Sequence, residues 1–282
     1  MMMTKKKIYP IGLLLMVITM GMAGSPVMAA KLQEKTLKAW NEYVRLTEER
    51  ITEELNSSTG FLAQDFQAVP KAQMERDAAL SGQILVEKMK TLNPRGRKIK
   101  VPAGTIHHWR GSVFIPDVEL EGVLAQVRYP AQQEDLQKDV LESRILEESE
   151  DSLRIYLKLV RSKIVTVTYN TEHLIEYQRH GEGLASSRSI ATRIVELDQA
   201  GTPAEREKPE GKDRGFLWKL NSYWRYQQVD GGVLVECESL TLSRGVPAIL
   251  APFIKSIISG VARESMKRTL SSMRDRFATT EG

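Results

Sequence analysis

The feature that most constrains the fold is a pair of strand-like runs, 216–228 and 232–242, around Asp230-Gly231. Asp-Gly between alternating runs favours a two-residue type I′ hairpin turn. Such a loop pairs Val229 with Gly232 and sets every later pair. Trp224 then lies opposite Cys237, Tyr226 opposite Val235 and Ser222 opposite Ser239 on one face. The other face sets Arg225 against Glu236 and Tyr223 against Glu238. A slip of one residue would exchange the two faces. The first face is apolar and aromatic, and the second carries an opposite-charge pair that reads as a solvated outer surface.

The hairpin ends a longer β region. Residues 143–147, 153–160, 164–169, 174–179 and 187–197 read as strands, the last without clean alternation. Residues 99–101 and 106–115 precede them, with Asn93-Pro94-Arg95-Gly96 as a turn, and Asp117 is the expected N-cap of a short helix at 120–126. Helices flank this region. Leu37, Trp40, Tyr43, Val44, Ile51 and Leu55 recur at helical steps over 34–56, and a weaker helix runs through Lys71–Leu80. From Pro247 to Phe277 a long helix carries Leu250, Phe253, Ile254, Ile257, Ile258, Val261, Met266, Leu270, Met273 and Phe277. Its first half is apolar on nearly all sides and needs cover on more than one. A large antiparallel sheet that curls around one long amphipathic helix is a helix-grip, an α+β arrangement.

The chain's start has a separate logic. Lys5-Lys6-Lys7, an apolar run over 8–23, and small residues at Val27-Met28-Ala29-Ala30 read as a secretory signal cleaved after Ala29 or Ala30. The expected division is a signal over 1–30, a helical extension over 31–81 and the helix-grip domain over 82–282. The expected setting is periplasmic or secreted. Removing the signal's three lysines lowers Lys+Arg from 40 to 37 against 36 Asp+Glu. The near-neutral remainder argues against a nucleic-acid partner. No later run reaches transmembrane length, so no membrane span is expected after cleavage. Cys237 is the only cysteine and reads as a small buried strand residue, which leaves burial to hold the fold.

Several segments together resemble a known family. They are Gly104-Thr105-Ile106-His107-His108-Trp109-Arg110-Gly111, Gly215-Phe216-Leu217-Trp218, Ser222-Tyr223-Trp224-Arg225, Gly231 through Ser239, Leu242-Ser243-Arg244 and Pro247. They resemble exported bacterial proteins of the START-like superfamily (polyketide cyclase/lipid transport, SRPBCC), over roughly 83–277. The resemblance implies a helix-grip fold around a cavity for an apolar ligand. It carries no catalytic motif.

The candidate ligand-binding residues are Trp218, Trp224 and Tyr226 on the sheet and Phe253, Ile257 and Val261 on the last helix, as cavity lining. No catalytic residue, metal ligand or cofactor is assigned. Phosphate-binding glycine loops, G-x-S-x-G and H-E-x-x-H are missing from the sequence. His107 and His108 are adjacent on a strand, so they point to opposite faces and do not share one ion. Arg225, opposite Glu236, reads as an outer-face charge, whereas 187–197 does not alternate and leaves Arg188 and Arg193 unphased between a solvated outer face and an inward position that would suit a carboxylate head group. The leading reading is extracytoplasmic binding or transfer of an apolar small molecule or lipid. The first alternative is a cyclase/aromatase-type enzyme, with His108, Tyr226 and Glu238 as nominees. The second is a scaffold whose N-terminal helix docks a partner.

Overall fold

The computed structural model describes residues 31–128, 139–162, 166–245 and 251–278, the side chains of 251–259, 261, 262 and 278 excepted. The expected signal lies outside the described residues. In chain order the elements are α1 (Glu34–Leu55), a 3₁₀ turn (Ala63–Phe66), α2 (Val69–Leu80), β1 (Leu85–Lys88), β2 (Gly104–Pro116) and α3 (Leu120–Arg128). There follow β3 (Val140–Glu148), β4 (Ser152–Ser162), β5 (Thr166–Arg179), β6 (Leu184–Asp198), β7 (Arg206–Glu207), β8 (Lys219–Val229), β9 (Gly232–Arg244) and α4 (Ala251–Ala278).

All strand pairs are antiparallel. The sheet runs β1-β2-β9-β8-β6-β5-β4-β3, with β7 beside β6. The β8–β9 register is the expected one, with Trp224 opposite Cys237, Arg225 opposite Glu236 and Val229 opposite Gly232. The turn class differs, because Gly231 has φ +78° and Asp230 is not in the left-handed region. A type I′ turn needs positive φ at both. A Cβ on Gly232 would stand 2.1 Å from the Ile115 carbonyl oxygen, so β2 approaches too closely for any other residue. β5 is continuous where two strands were expected, and the β5–β6 register shifts between Glu172 and His173. That bulge is why 187–197 does not alternate.

Helices cover both faces of the sheet. On the inner face, Met266 and Leu270 of α4 pack with Val113, Ile115, Val233, Val235, Cys237 and Tyr226, and α3 adds Val123 and Leu124. Leu270 and Met266 lie where a Cβ on Gly111 of β2 would stand, at 2.6 and 2.9 Å. The same helix reaches the far end of the sheet, where Arg268 donates to Asp139 beside β3 at 2.8 Å. One helix therefore touches both ends of the strand order, which requires a curled sheet. α4 begins at Ala251 with Pro252 in its first turn, where a missing N–H costs nothing. Asp117 does not cap α3: it sits at φ +57°, and the Leu120 N–H is taken by the Gln228 side chain at 2.6 Å.

The outer face is not solvated over β2, β9 and β8, which corrects the sequence expectation. Trp40, Tyr43 and Ile51 of α1 pack on Tyr223, Leu240 and Leu242, while Phe61, Leu62 and Ala79 pack on Leu234. Arg225, Glu236 and Glu238 are 3%, 1% and 3% exposed beneath this layer. Arg225 donates to Glu54 at 2.5 Å and to the Phe61 carbonyl at 2.8 Å. Glu236 accepts from the Ala63 and Gln64 backbones at 2.7 and 3.2 Å and pairs with Arg110 at 3.3 Å. Arg110 in turn meets Glu75 of α2 at 2.5 Å. A buried charge needs a partner, and here the N-terminal segment and β2 supply them together. Arg188 and Arg193, which the sequence leaves unphased, lie further along this face and stay half-exposed.

Candidate functional site

The inner face beneath α4 is mainly apolar with a few isolated polar groups. Trp224 and Tyr226 stack, with ring centroids 6.4 Å apart and planes 8° apart. Tyr226 is 2% exposed, its hydroxyl is 3.3 Å from Ser187 Oγ, and burial pushes its pKa up. Alternation along β4 and β5 adds Leu153, Ile155, Leu159, Val167, Tyr169, Thr171 and His173, all buried on the same face. His173 Nε2 lies 3.0 Å from Thr171 Oγ1. Burial lowers the His173 pKa from 6.5 to about 4, so the ring is neutral near pH 7. It serves there as a hydrogen-bonding group without charge. Tyr169 Oη and Trp109 Nε1 are buried with no hydrogen-bond partner among the described residues.

Of the expected lining residues, Trp224 and Tyr226 share the inner face with the second half of α4. Trp218 does not join them. It precedes β8, donates from Nε1 to Asp213 at 3.0 Å, and packs with the α1 cluster. Strand alternation does not extend past the strand's first residue, which is why the sequence grouped it wrongly. Phe253, Ile257 and Val261 belong to α4, but their side chains lie outside the described residues.

The nominated acid–base groups are also separated. Tyr226 is inside, whereas His108 and Glu238 meet on the outer face beneath α1, with Nε2 to Oε1 at 2.6 Å. Glu238 is ionised: burial would raise its pKa, but the His108 hydrogen bond and the charges of His108, Arg50 and Arg225 bring it to about 2. Its carboxylate only accepts, so His108 Nε2 carries a proton. His108 Nδ1 lies 2.9 Å from the Tyr43 hydroxyl, which accepts from the Thr91 N–H at 2.7 Å. This chain of bonds docks a helix. His107 turns to the opposite face and meets Ser243 Oγ at 3.1 Å. Tyr169, Thr171 and His173 were missed in the sequence, although three polar groups at i, i+2 and i+4 opposite Leu159, Leu157 and Ile155 mark a polar strip on a buried face.

No family model and no curated protein matches the chain. Among solved structures it is similar to a STAR-related lipid transfer protein from Xanthomonas axonopodis, at 16% identity and TM-score 0.45, over 69% of this chain and 99% of that one. It is also similar to the Zhui aromatase/cyclase from a Streptomyces species, at 11% identity and TM-score 0.39, over 62% and 94%. A START superfamily protein from Mycobacterium smegmatis matches at 9% identity and TM-score 0.40, over 61% and 97%. All three are under 25% identical to the chain, with TM-scores below 0.5.

Proposed function

We propose that this chain binds or transfers an apolar small molecule or lipid outside the cytoplasm, holding it between α4 and the inner face of the sheet. The observation that carries the reading is a buried, mostly apolar face on which two donors, Tyr169 Oη and Trp109 Nε1, have no hydrogen-bond partner among the described residues. Buried polar groups are nearly always bonded, so two such donors on one face suit a ligand with one or more acceptor atoms. Trp224 and Tyr226 offer the stacked aromatic surface that such a ligand packs on.

The extracytoplasmic setting is supported by the signal-like pattern of residues 1–30. Native mass spectrometry with lipid extraction, on protein purified from its own host, tests the binding. A stoichiometric apolar species supports it, and none after mild purification counts against it. N-terminal sequencing tests the setting: a start at Ala30 or Lys31 supports export, and an intact Met1 opposes it. The cyclase alternative has one feature in its favour, the Thr171–His173 pair on the same face. No carboxylate bonds His173 among the described residues, and its low pKa makes it a weak base. The scaffold alternative loses its main feature, since α1 spends its apolar stripe on this chain's own sheet.

A further inference from the structure

We propose that residues 88–100, between β1 and β2, form a docking surface for a bilayer that carries anionic phospholipid. This goes beyond the binding reading above and does not depend on it.

The stretch holds Lys88, Lys90, Arg95, Arg97, Lys98 and Lys100 and no acidic residue. From residue 31 onward, the rest of the chain has 31 Lys+Arg against 36 Asp+Glu. Positive charge is therefore gathered here on an otherwise acidic chain. All six side chains are exposed, and none forms an ion pair or hydrogen bond among the described residues. Exposed cations elsewhere behave differently: Arg45 pairs with Glu42 and Glu49, Arg154 with Glu147 and Glu172, and Arg193 with Glu207. Six cations in a row without an acid serve no pairing inside the fold.

The backbone that carries them is fixed. The Thr91 N–H donates to the Tyr43 hydroxyl at 2.7 Å, and Thr91 Oγ1 lies 2.7 Å from Thr47 Oγ1. At the other end, Ile99 and Val101 pack into the α1 cluster, and the Thr36 hydroxyl donates to the Pro102 carbonyl at 2.6 Å. Between these anchors the Asn93 N–H donates to the Arg97 carbonyl at 2.8 Å, and Asn93 Oδ1 accepts from the Arg95 and Arg97 N–H groups at 3.0 Å each. Gly96 closes the turn at φ +69°. A surface already ordered loses little freedom on docking.

Two features select a bilayer among polyanions. Leu92 is 36% exposed and Pro94 is exposed beside it, in the midst of the cations. Apolar side chains among Lys and Arg suit a membrane interface, where the former enter the head-group layer and the latter meet phosphates. The stretch also has no aromatic ring on which a nucleic-acid base could stack. Its position fits as well. The carbonyl of Ala103, just beyond it, accepts from the Gly245 N–H at 2.8 Å, so docking brings the end of β9 that precedes α4 to the bilayer.

The experiment is co-sedimentation of protein purified from its own host with large vesicles of phosphatidylcholine, alone or mixed one-to-one with phosphatidylglycerol. Binding to the mixed vesicles should exceed binding to phosphatidylcholine and should fall between about 0.1 M and about 0.5 M salt as the charges are screened. Arg95→Gln/Arg97→Gln/Lys98→Gln should weaken mixed-vesicle binding about a hundredfold, at about fivefold per cation, with the urea midpoint unchanged. The control Arg154→Gln/Arg179→Gln/Arg193→Gln removes as many exposed cations from β4, β5 and β6 and should change binding by less than about threefold. Equal losses in the two triple variants would make this an effect of net charge and overturn the surface. Equal binding to both vesicles, or binding that salt leaves intact, would overturn it too. A lowered urea midpoint in the first variant would show that these cations serve the fold instead. Duplex DNA that strips the protein from mixed vesicles at a lower phosphate concentration would overturn the bilayer assignment in favour of nucleic acid. None of these outcomes bears on the co-purified apolar species, so the binding reading stands or falls separately.

Discussion

Arg225→Met tests whether the N-terminal helices are held by buried charge. Arg225 is 3% exposed and bonds Glu54 at 2.5 Å and the Phe61 carbonyl at 2.8 Å. Removing one partner of a buried ion pair costs about 3–5 kcal/mol, chiefly because the remaining charge stays desolvated. Glu54 keeps Arg50, with two bonds at 2.9 Å, and Glu236 keeps Arg110 and two backbone donors. These residual contacts place the expected loss near the low end, about 3 kcal/mol. For a chain of this length that lowers Tm by roughly 6–12 °C. The assay is urea denaturation at pH 7 followed by far-UV circular dichroism. Arg193→Met is the control, since its pair with Glu207 is 40% and 36% exposed and should cost under about 1 kcal/mol. In the double variant Arg225→Met/Glu54→Leu, the loss should be smaller than the sum of the two single losses, because the two residues share one bond. If Arg225→Met costs no more than Arg193→Met, this face is solvated and the account of α1 docking is wrong.

Acid should weaken the fold through His173. Burial holds its pKa at about 4 in the folded chain, below the ordinary 6.5, so the unfolded chain binds the proton first. The contribution is therefore whole above pH 6.5 and is lost as pH falls towards 4, at about 3 kcal/mol in total. Urea midpoints at pH 7 and 4.5 should lie closer together in His173→Gln than in the parent chain, and an unchanged gap would sink the assignment. Gly232→Ala should destabilise by about 1–3 kcal/mol, because its Cβ would meet the Ile115 carbonyl oxygen at 2.1 Å and β2 must shift. A thermal melt equal to that of the parent would show that β2 is not pinned at this turn.

The hairpin register was readable because Asp230-Gly231 and two alternating runs left one consistent pairing. The long final helix was readable from its apolar stripe. What could not be read was which of the two hairpin faces meets water. Arg225 opposite Glu236 looks the same on a surface as under a helix, and only the partners Glu54, Phe61 and Ala63, more than 160 residues away, make it an interior pair. The polar strip at Tyr169–His173 alternates cleanly along β5, but three polar groups on one face read as a wet face until the β4–β5 register sets them opposite Leu159, Leu157 and Ile155.

The outer-face network also bears on how the chain acquires its fold. Arg50 bonds Glu238, 188 residues further on, and the Ala63 N–H finds Glu236 after 173. α1 leaves the ribosome early, yet its charged anchors on the sheet, Arg188, Arg225 and Glu238, belong to β6, β8 and β9, all made long after it. Until β9 closes onto β2 and β8, the stripe of Trp40, Tyr43 and Ile51 has no seat. Such distant pairings make folding slow and late, because a long loop must close before any contact rewards it. A chain that cannot seal its own first helix during synthesis completes its structure only when its C-terminal half has arrived.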